Sequence, residues 1–334
     1  MSTAEKIGER KIIEIIWKHL DKALDMPVPF GDDVSTIKLE NSNLAVLKTD
    51  MLVGKTDIPP QMSYWQAARK AVIMNISDLA AKGVKPQGIL VSLGIPRNLT
   101  KKDIEQIGKG LNAGAREYDT YVLGGDTNET GDLIISVAVF GLAEKRNLIL
   151  RSGARSGDIV ATTELFGLAS SGLKILTEKL TAPPRIRKKL LDAVLMPKAR
   201  LREGLALAKT GAATASIDSS DGLAWSLYEI SCASNVGFII DAPPVAPETC
   251  EFAKLHNLDP LELSFYGGEE YELVVTINPK YWKKAEKVIA EQEGSLVKIG
   301  KVTVEKEIFL KKGDKIIRIE ARGYEHFKHK KEES

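Results

Sequence analysis

Residues 5–20 (EKIGERKIIEIIWKHL) place Ile7, Ile12, Ile13, Ile15, Ile16 and Leu20 near helical spacing, which predicts an amphipathic helix at the start of the chain. The pattern then shortens. Residues 43–48 (NLAVLK) form a compact apolar stretch ending at Thr49-Asp50, and residues 88–93 (GILVSL) and 133–143 (LIISVAVFGLA) are β-branched runs bounded by turn residues, so all three predict strands. Helical periodicity returns over 63–82 and 100–118, where Thr100 stands three residues before Asp103 as a capping-box-like start. A second α/β unit begins near Arg151-Ser152-Gly153-Ala154, with a strand at 158–163 and helices at 186–195 and 197–209, Pro197 fitting a first helical turn. The expected boundary lies near residue 147, giving units 1–147 and 148–334. No fixed-period repeat or low-complexity linker separates them, so two packed rather than tethered units are expected.

Composition narrows the function classes. A chain of 334 residues with 43% apolar and 28% charged positions has the size for two domains and the make-up of an ordinary globular protein. Its 47 Lys and Arg against 45 Asp and Glu, mixed along the chain, give no basic face for nucleic acid. The basic run Lys328-His329-Lys330-Lys331 reads as a solvated end, and His326 likewise. Cys232 and Cys250 are too few and too irregularly spaced for a disulfide framework or a metal site; both read as small packing residues in a reducing compartment. The longest apolar run, 133–143, is well short of the roughly 20 residues of a membrane helix, and the N-terminal residues are charged rather than signal-like. A soluble, cytoplasmic protein with no membrane partner is expected.

Candidate chemistry lies in five acidic turns: Gly31-Asp32-Asp33, Thr49-Asp50, Ser77-Asp78, Gly124-Gly125-Asp126-Thr127 and Asp218-Ser219-Ser220-Asp221-Gly222. Any one of them is explained by capping or turn formation. Together they imply more. Thr49-Asp50 and Gly124-Gly125-Asp126 are expected at the ends of strands, where α/β sheets hold ligands. Several carboxylates gathered at low dielectric repel one another unless a hard divalent cation neutralises them, and oxygen ligands without a His or Cys cluster favour Mg²⁺. Mg²⁺ held by carboxylates commonly shares substrate phosphates, which points to a phosphorylated substrate, a nucleotide above all. The known phosphate loops do not supply this: Gly167–Lys174 (GLASSGLK) has Leu173 where a P-loop needs lysine and reads as a turn and helix start, and Gly108–Gly114 (GKGLNAG) has one residue too many for the dinucleotide fingerprint.

The ordered motifs GDD, TDML, NISDLAAKG, GGDT, RSGARSGD, SIDSSDGL, GGEEYEL and GYEHF, spanning about residues 30–327, resemble the thiamine-monophosphate kinase family. That family shares a superfamily with aminoimidazole ribonucleotide synthetase, selenophosphate synthetase and the hydrogenase-maturation dehydratase. The resemblance implies an α/β fold in which an N-terminal mixed sheet with helices pairs with that of a second subunit in a homodimer. A C-terminal α+β domain would complete the active-site cleft. It implies ATP-dependent phosphorylation of thiamine monophosphate by direct in-line transfer with several Mg²⁺ ions. Asp33, Asp50, Asp78, Asp126, Asp218 and Asp221 would bind metal, assisted by Thr49 and Lys48. Gly125, Arg151 and Ser220 would contact ATP, with Asp126 and Arg151 serving the transfer step. Glu269, Tyr324 and Asp57 would face thiamine monophosphate.

Three positions depart from the family pattern. Asp57 stands where relatives carry His, GGEDYEL reads GGEEYEL, and DISDG reads DSSDG with both carboxylates kept. Because the acceptor is an ionised phosphate oxygen, no strong general base is required, and two anions must instead be neutralised and aligned. The sister enzymes fit less well: the selenophosphate enzyme expects a reactive Cys near the N-terminus and the dehydratase a C-terminal one, whereas the cysteines here are Cys232 and Cys250. A nonenzymatic binding protein of this fold would be expected to have lost metal carboxylates, and all six are present.

Overall fold

The computed structural model describes residues 3–21, 23 and 26–327; the basic run from Lys328 onward, with His329, lies outside the described residues. The first sheet has the order β1-β2-β5-β3-β4, built from Ser35–Lys38 (β1), Asn43–Val53 (β2), Lys85–Ile95 (β3), Val122–Glu129 (β4) and Ile134–Glu144 (β5). All its neighbours are antiparallel except β3 and β4. The predicted opening helix is divided at Gly8 (φ 77°) into Ala4–Ile7 (α1) and Glu9–Trp17 (α2). A short turn, Gly54–Asp57 (α3), follows β2, and two long helices, Tyr64–Lys82 (α4) and Lys101–Glu117 (α5), follow in turn.

Local chemistry accounts for both long helices. Ser63 with Gln66, and Thr100 with Asp103, form complete capping boxes, and Gly83 ends α4 in the left-handed region at φ 67°. Where α5 lies on α4, a Cβ at Gly110 would stand 2.2 Å from the Trp65 carbonyl oxygen, so glycine permits the backbone contact.

The second sheet has the order β12-β11-β8-β10-β6-β9-β7. Its strands are Ile159–Thr162 (β6), Ala213–Asp218 (β7), Gly237–Ile240 (β8), Leu273–Ile277 (β9), Val297–Thr303 (β10), Ile308–Lys312 (β11) and Lys315–Arg318 (β12). Helices Leu168–Thr177 (α6), Pro184–Leu195 (α7), Leu201–Thr210 (α8), Leu223–Ser234 (α9), Pro247–Leu255 (α10), Pro260–Phe265 (α11) and Trp282–Ala290 (α12) surround it. Pro197 precedes α8 rather than entering its first turn, and its carbonyl accepts a 2.9 Å hydrogen bond from Arg69 of α4. Cys232 and Cys250 are exposed rather than packed inside.

One apolar core joins the two sheets through α4. Val46, Leu52, Ile135 and Val137 of the first sheet and Leu207, Val275 and Ile277 of the second half belong to the same buried cluster as Ile73, Ile76 and Leu79. A helix packed on all sides shows no single apolar stripe. Its polar residues Lys70, Asn75, Ser77, Asp78 and Lys82 are therefore buried as well, and each must find a partner inside the protein.

Two strands run further than the sequence pattern indicated. Thr49-Asp50 lies inside β2, which continues to Val53, and Gly124-Gly125-Asp126 lies inside β4 rather than at a strand end. The polar side chains interrupt the apolar pattern without interrupting the ladder, because backbone pairing with β5 and β3 carries the strands onward.

Candidate active site

Asp33, Asp78 and Asp218 reach one point from three separate segments: the loop before β1, the last turns of α4, and the end of β7. Each contributes a carboxylate oxygen within 4.8 Å of the others, and all three residues are buried. Cations frame them. Lys48 of β2 lies 3.1 Å from both Asp50 and Asp78. Lys82, wholly buried, lies 2.7 Å from Asp32 and from Asp33 and donates a 2.7 Å bond to the Ser216 carbonyl. Ser77 donates to Asp218 at 2.7 Å, and Asn75 accepts from the Asp50 N–H at 2.8 Å.

The electrostatics follow from this geometry. Burial, then the charges of Asp218, Asp50 and Asp33, pushes the Asp78 carboxyl well above the carboxylate range despite Lys48. Burial and the nearby Asp33 charge push Asp218 to about 7. Asp33 goes the other way: against the cost of burial, Lys82 and Arg151 hold its carboxyl below the ordinary value. Without added positive charge the cluster thus retains protons on acids that would be ionised in water. A divalent cation there would favour full ionisation, so the donor set fits Mg²⁺ on chemical grounds.

A second group of loops adjoins the cluster through the end of β7. The Glu269 N–H donates to Ser220 O at 2.7 Å, Tyr271 N–H to Ser219 O at 2.9 Å, Ser219 N–H to Glu272 O at 2.8 Å and Tyr324 N–H to Asp221 O at 3.0 Å, so DSSDG, GGEEYE and GYEHF form one unit. Glu269 (φ 66°) and Tyr271 (φ 55°) are both left-handed, a conformation that costs a non-glycine residue of order 1 kcal/mol and is held here by those bonds. Tyr324 is half exposed, and its hydroxyl is pushed up to about 12 by partial burial, Asp57 and Glu269. Asp221 still meets solvent; enclosure by the cleft, then the Glu9 charge, pushes its carboxyl to about 6.

The remaining sequence candidates are placed as follows. Arg151 is engaged in an ion-pair junction, with Nε donating to Asp33 at 2.6 Å and Nη1 to Gly31 O at 2.8 Å and to Glu229 at 3.1 Å. Asp57 accepts from the Val53 N–H at 2.7 Å, and Thr49 donates to Val137 O at 3.0 Å. Ser220 and Gly125 are exposed; a Cβ at Gly125 would fall 1.8 Å from the Val91 carbonyl oxygen, so the close approach of β3 requires glycine there.

Asp126 is not brought to the cluster. It pairs in register through Ser92 and Ser136 with Met51, three strand spacings or about 14 Å away, on the sheet face opposite α4. Sequence reasoning gave no role to Lys70, Asn75 and Lys82 and named Ser77 only as the neighbour of Asp78. Their signal was a long helical segment, otherwise apolar, with Arg69, Lys70, Asn75, Asp78 and Lys82 spread around it.

The two-domain fold, with a buried acidic cluster drawn from both halves, is that of the AIR synthase related proteins, whose N-terminal domain matches residues 31–143 and whose C-terminal domain matches residues 155–313. The thiamine-monophosphate kinase of Nitrosopumilus maritimus is 38% identical over 97% of this chain and 99% of its own, and that of Pyrococcus horikoshii is 36% identical over 97% of each. The solved structure of AaThiL complexed with AMPPCP and TMP superposes with a TM-score of 0.83 at 26% identity, covering 98% of this chain and 99% of its own. The chain belongs to the thiamine-monophosphate kinase family. Among the described residues no helix is long and apolar enough to cross a membrane.

Proposed function

We propose that the protein transfers the γ-phosphoryl group of ATP to the phosphate of thiamine monophosphate, giving thiamine diphosphate. The observation that carries this is the convergence of Asp33, Asp78 and Asp218 within 4.8 Å, next to the unit that the DSSDG, GGEEYE and GYEHF segments form. The relatives' name and the AMPPCP and TMP of the related structure support the same substrates.

Asp33, Asp78 and Asp218 would hold Mg²⁺, with Asp50, Lys48 and Thr49 on the adjoining strand and Asp221 on the facing loop. Held by these residues, Mg²⁺ would supply positive charge to neutralise phosphate oxygens. The chain's own groups do the rest. Lys82 and Arg151 keep Asp33 ionised and fixed. Ser77 and Asn75 orient Asp218 and the β2 backbone. The Ser220 and Gly125 backbones and Arg151 are the proposed ATP contacts, and Glu269, Asp57 and Tyr324 surround the cationic thiamine end, where an aromatic face and carboxylates suit a thiazolium ring. Transfer is direct, since the acceptor oxygen is already anionic and needs no base.

A homodimer completes this reading. The face opposite α4 exposes Leu47, Met51 and Leu90 and carries Asp126 on its far strand, and a second copy seated on it would cover the apolar residues and give Asp126 a partner active site. Leu90→Lys is expected to shift the protein to monomer in sedimentation and to lower turnover with it. A monomeric wild type, or a monomeric variant with full activity, would refute the dimeric site.

The functional test is formation of thiamine diphosphate from ATP and thiamine monophosphate with Mg²⁺ and again with excess chelator. Product is expected only with Mg²⁺. Absence of product with Mg²⁺ present would sink the assignment.

A further inference from the structure

We propose that Lys70 is a positioning residue for thiamine monophosphate, holding the Glu269 carboxylate in place at the substrate end of the cleft. The inference rests on the substrate reading above and adds a residue that does not itself meet the ligand. Lys70 lies in the middle of α4, and its side chain is 1% exposed. An ammonium group is retained at such a depth only if it is paired and hydrogen-bonded. Its partners are the Asp57 carbonyl, at 3.0 Å, and Glu269 Oε1.

Glu269 belongs to the other half of the molecule, so this ion pair ties the α3 turn, α4 and the GGEEYE loop across the cleft. Its backbone is left-handed at φ 66°, which a non-glycine residue adopts only when its surroundings hold it there. Two contacts do so: its N–H is fixed by Ser220 O, and its side chain by Lys70. The Glu269 side chain is 29% exposed while that of Lys70 is closed off, so an incoming ligand meets the carboxylate and not the ammonium. Lys70 takes Oε1, and Oε2 has no protein hydrogen-bond partner among the described residues. The Asp57 carbonyl and Glu269 Oε1 share the Lys70 ammonium, which holds the α3 turn beside the GGEEYE loop. Removing the buried cation tied to both segments would leave the Glu269 side chain without its partner and free to turn toward solvent.

The test uses the full chain at saturating Mg²⁺, following thiamine diphosphate formation while thiamine monophosphate and ATP are varied separately. Lys70→Met is expected to raise KM for thiamine monophosphate by about tenfold or more, the usual effect of losing a residue that orients a ligand-contacting group, while KM for ATP changes little. Glu269→Gln should do the same, the double variant should be no worse than either single one, and Lys70→Arg should restore part of the loss. An unchanged KM for thiamine monophosphate, an equal rise for ATP, or losses that multiply in the double variant would overturn the proposal. If Lys70→Met fails to fold, Lys70→Arg and Glu269→Gln decide: two variants with wild-type KM values refute it. A wild type that does not use thiamine monophosphate removes the substrate reading and this inference together, whereas an active wild type with an indifferent Lys70→Met removes this inference alone.

Discussion

Asp78→Asn is expected to lower turnover by roughly 10²–10³-fold, because metal stabilisation of phosphoryl charge is worth several kcal/mol and each 1.4 kcal/mol is a factor of ten. The same change should leave the melting temperature unchanged or raise it. Asp78 is buried, lies among Asp33, Asp50 and Asp218, and has its carboxyl pushed far up by that company. Asparagine keeps the shape and removes an acid that, in the absence of metal, the fold must hold protonated above its ordinary range at a cost in stability. A residue retained for packing would behave in the opposite manner, losing stability and activity together, so the divergence of the two measurements is diagnostic. Steady-state assays at several Mg²⁺ concentrations beside thermal melts would read it. Activity within tenfold of wild type at saturating Mg²⁺ would remove Asp78 from the metal site.

Lys82→Met is expected to cost about 3–5 kcal/mol of stability, the usual effect of stripping one partner from a buried ion cluster. Lys82 is wholly buried between Asp32 and Asp33 and also supplies the hydrogen bond to Ser216 O. Methionine fills similar space but leaves two buried carboxylates without their shared ammonium and a β7 carbonyl without its donor. For a chain of this size, with an unfolding entropy of roughly 0.7 kcal/mol/K, that loss lowers Tm by about 4–7 °C. Adding Asp33→Asn should recover part of the stability, since the uncompensated charge is then gone, without restoring activity. A Lys82→Met protein melting within about 1 °C of wild type, a shift worth under 1 kcal/mol, would show that the cluster contributes little to folding.

The local elements were the most legible part of the chain. Capping boxes at Ser63 and Thr100 need only the residues three positions on, and the structure forms both. The strands at 88–93 and 133–143 were bounded by their own turn residues and were found within β3 and β5. The pattern and the structure part at a few places: the opening helix is divided at Gly8, Pro197 stands before α8 with its carbonyl bonded to Arg69, and Thr49-Asp50 and Asp126 lie inside strands although their polar side chains interrupt the apolar run.

The candidate site divides in the same way. The identity and order of the acidic motifs, and the hard-cation chemistry of their oxygen donors, are properties of the sequence, because they depend on which side chains are present. Which of them meet is not. Asp33, Asp78 and Asp218 are brought together by α4 lying between two sheets, and Asp126 is left on the opposite face by strand register. Lys70 and Lys82 acquired their roles only from partners far along the chain, Glu269 in one case and Asp32 with Asp33 in the other. Sequence determines the donors and the short-range geometry because those interactions span a few residues. The assignment of partners is decided by tertiary structure, because a buried charge is stabilised by whatever the fold places within about 3 Å of it, and that neighbour is not written in the residues beside it.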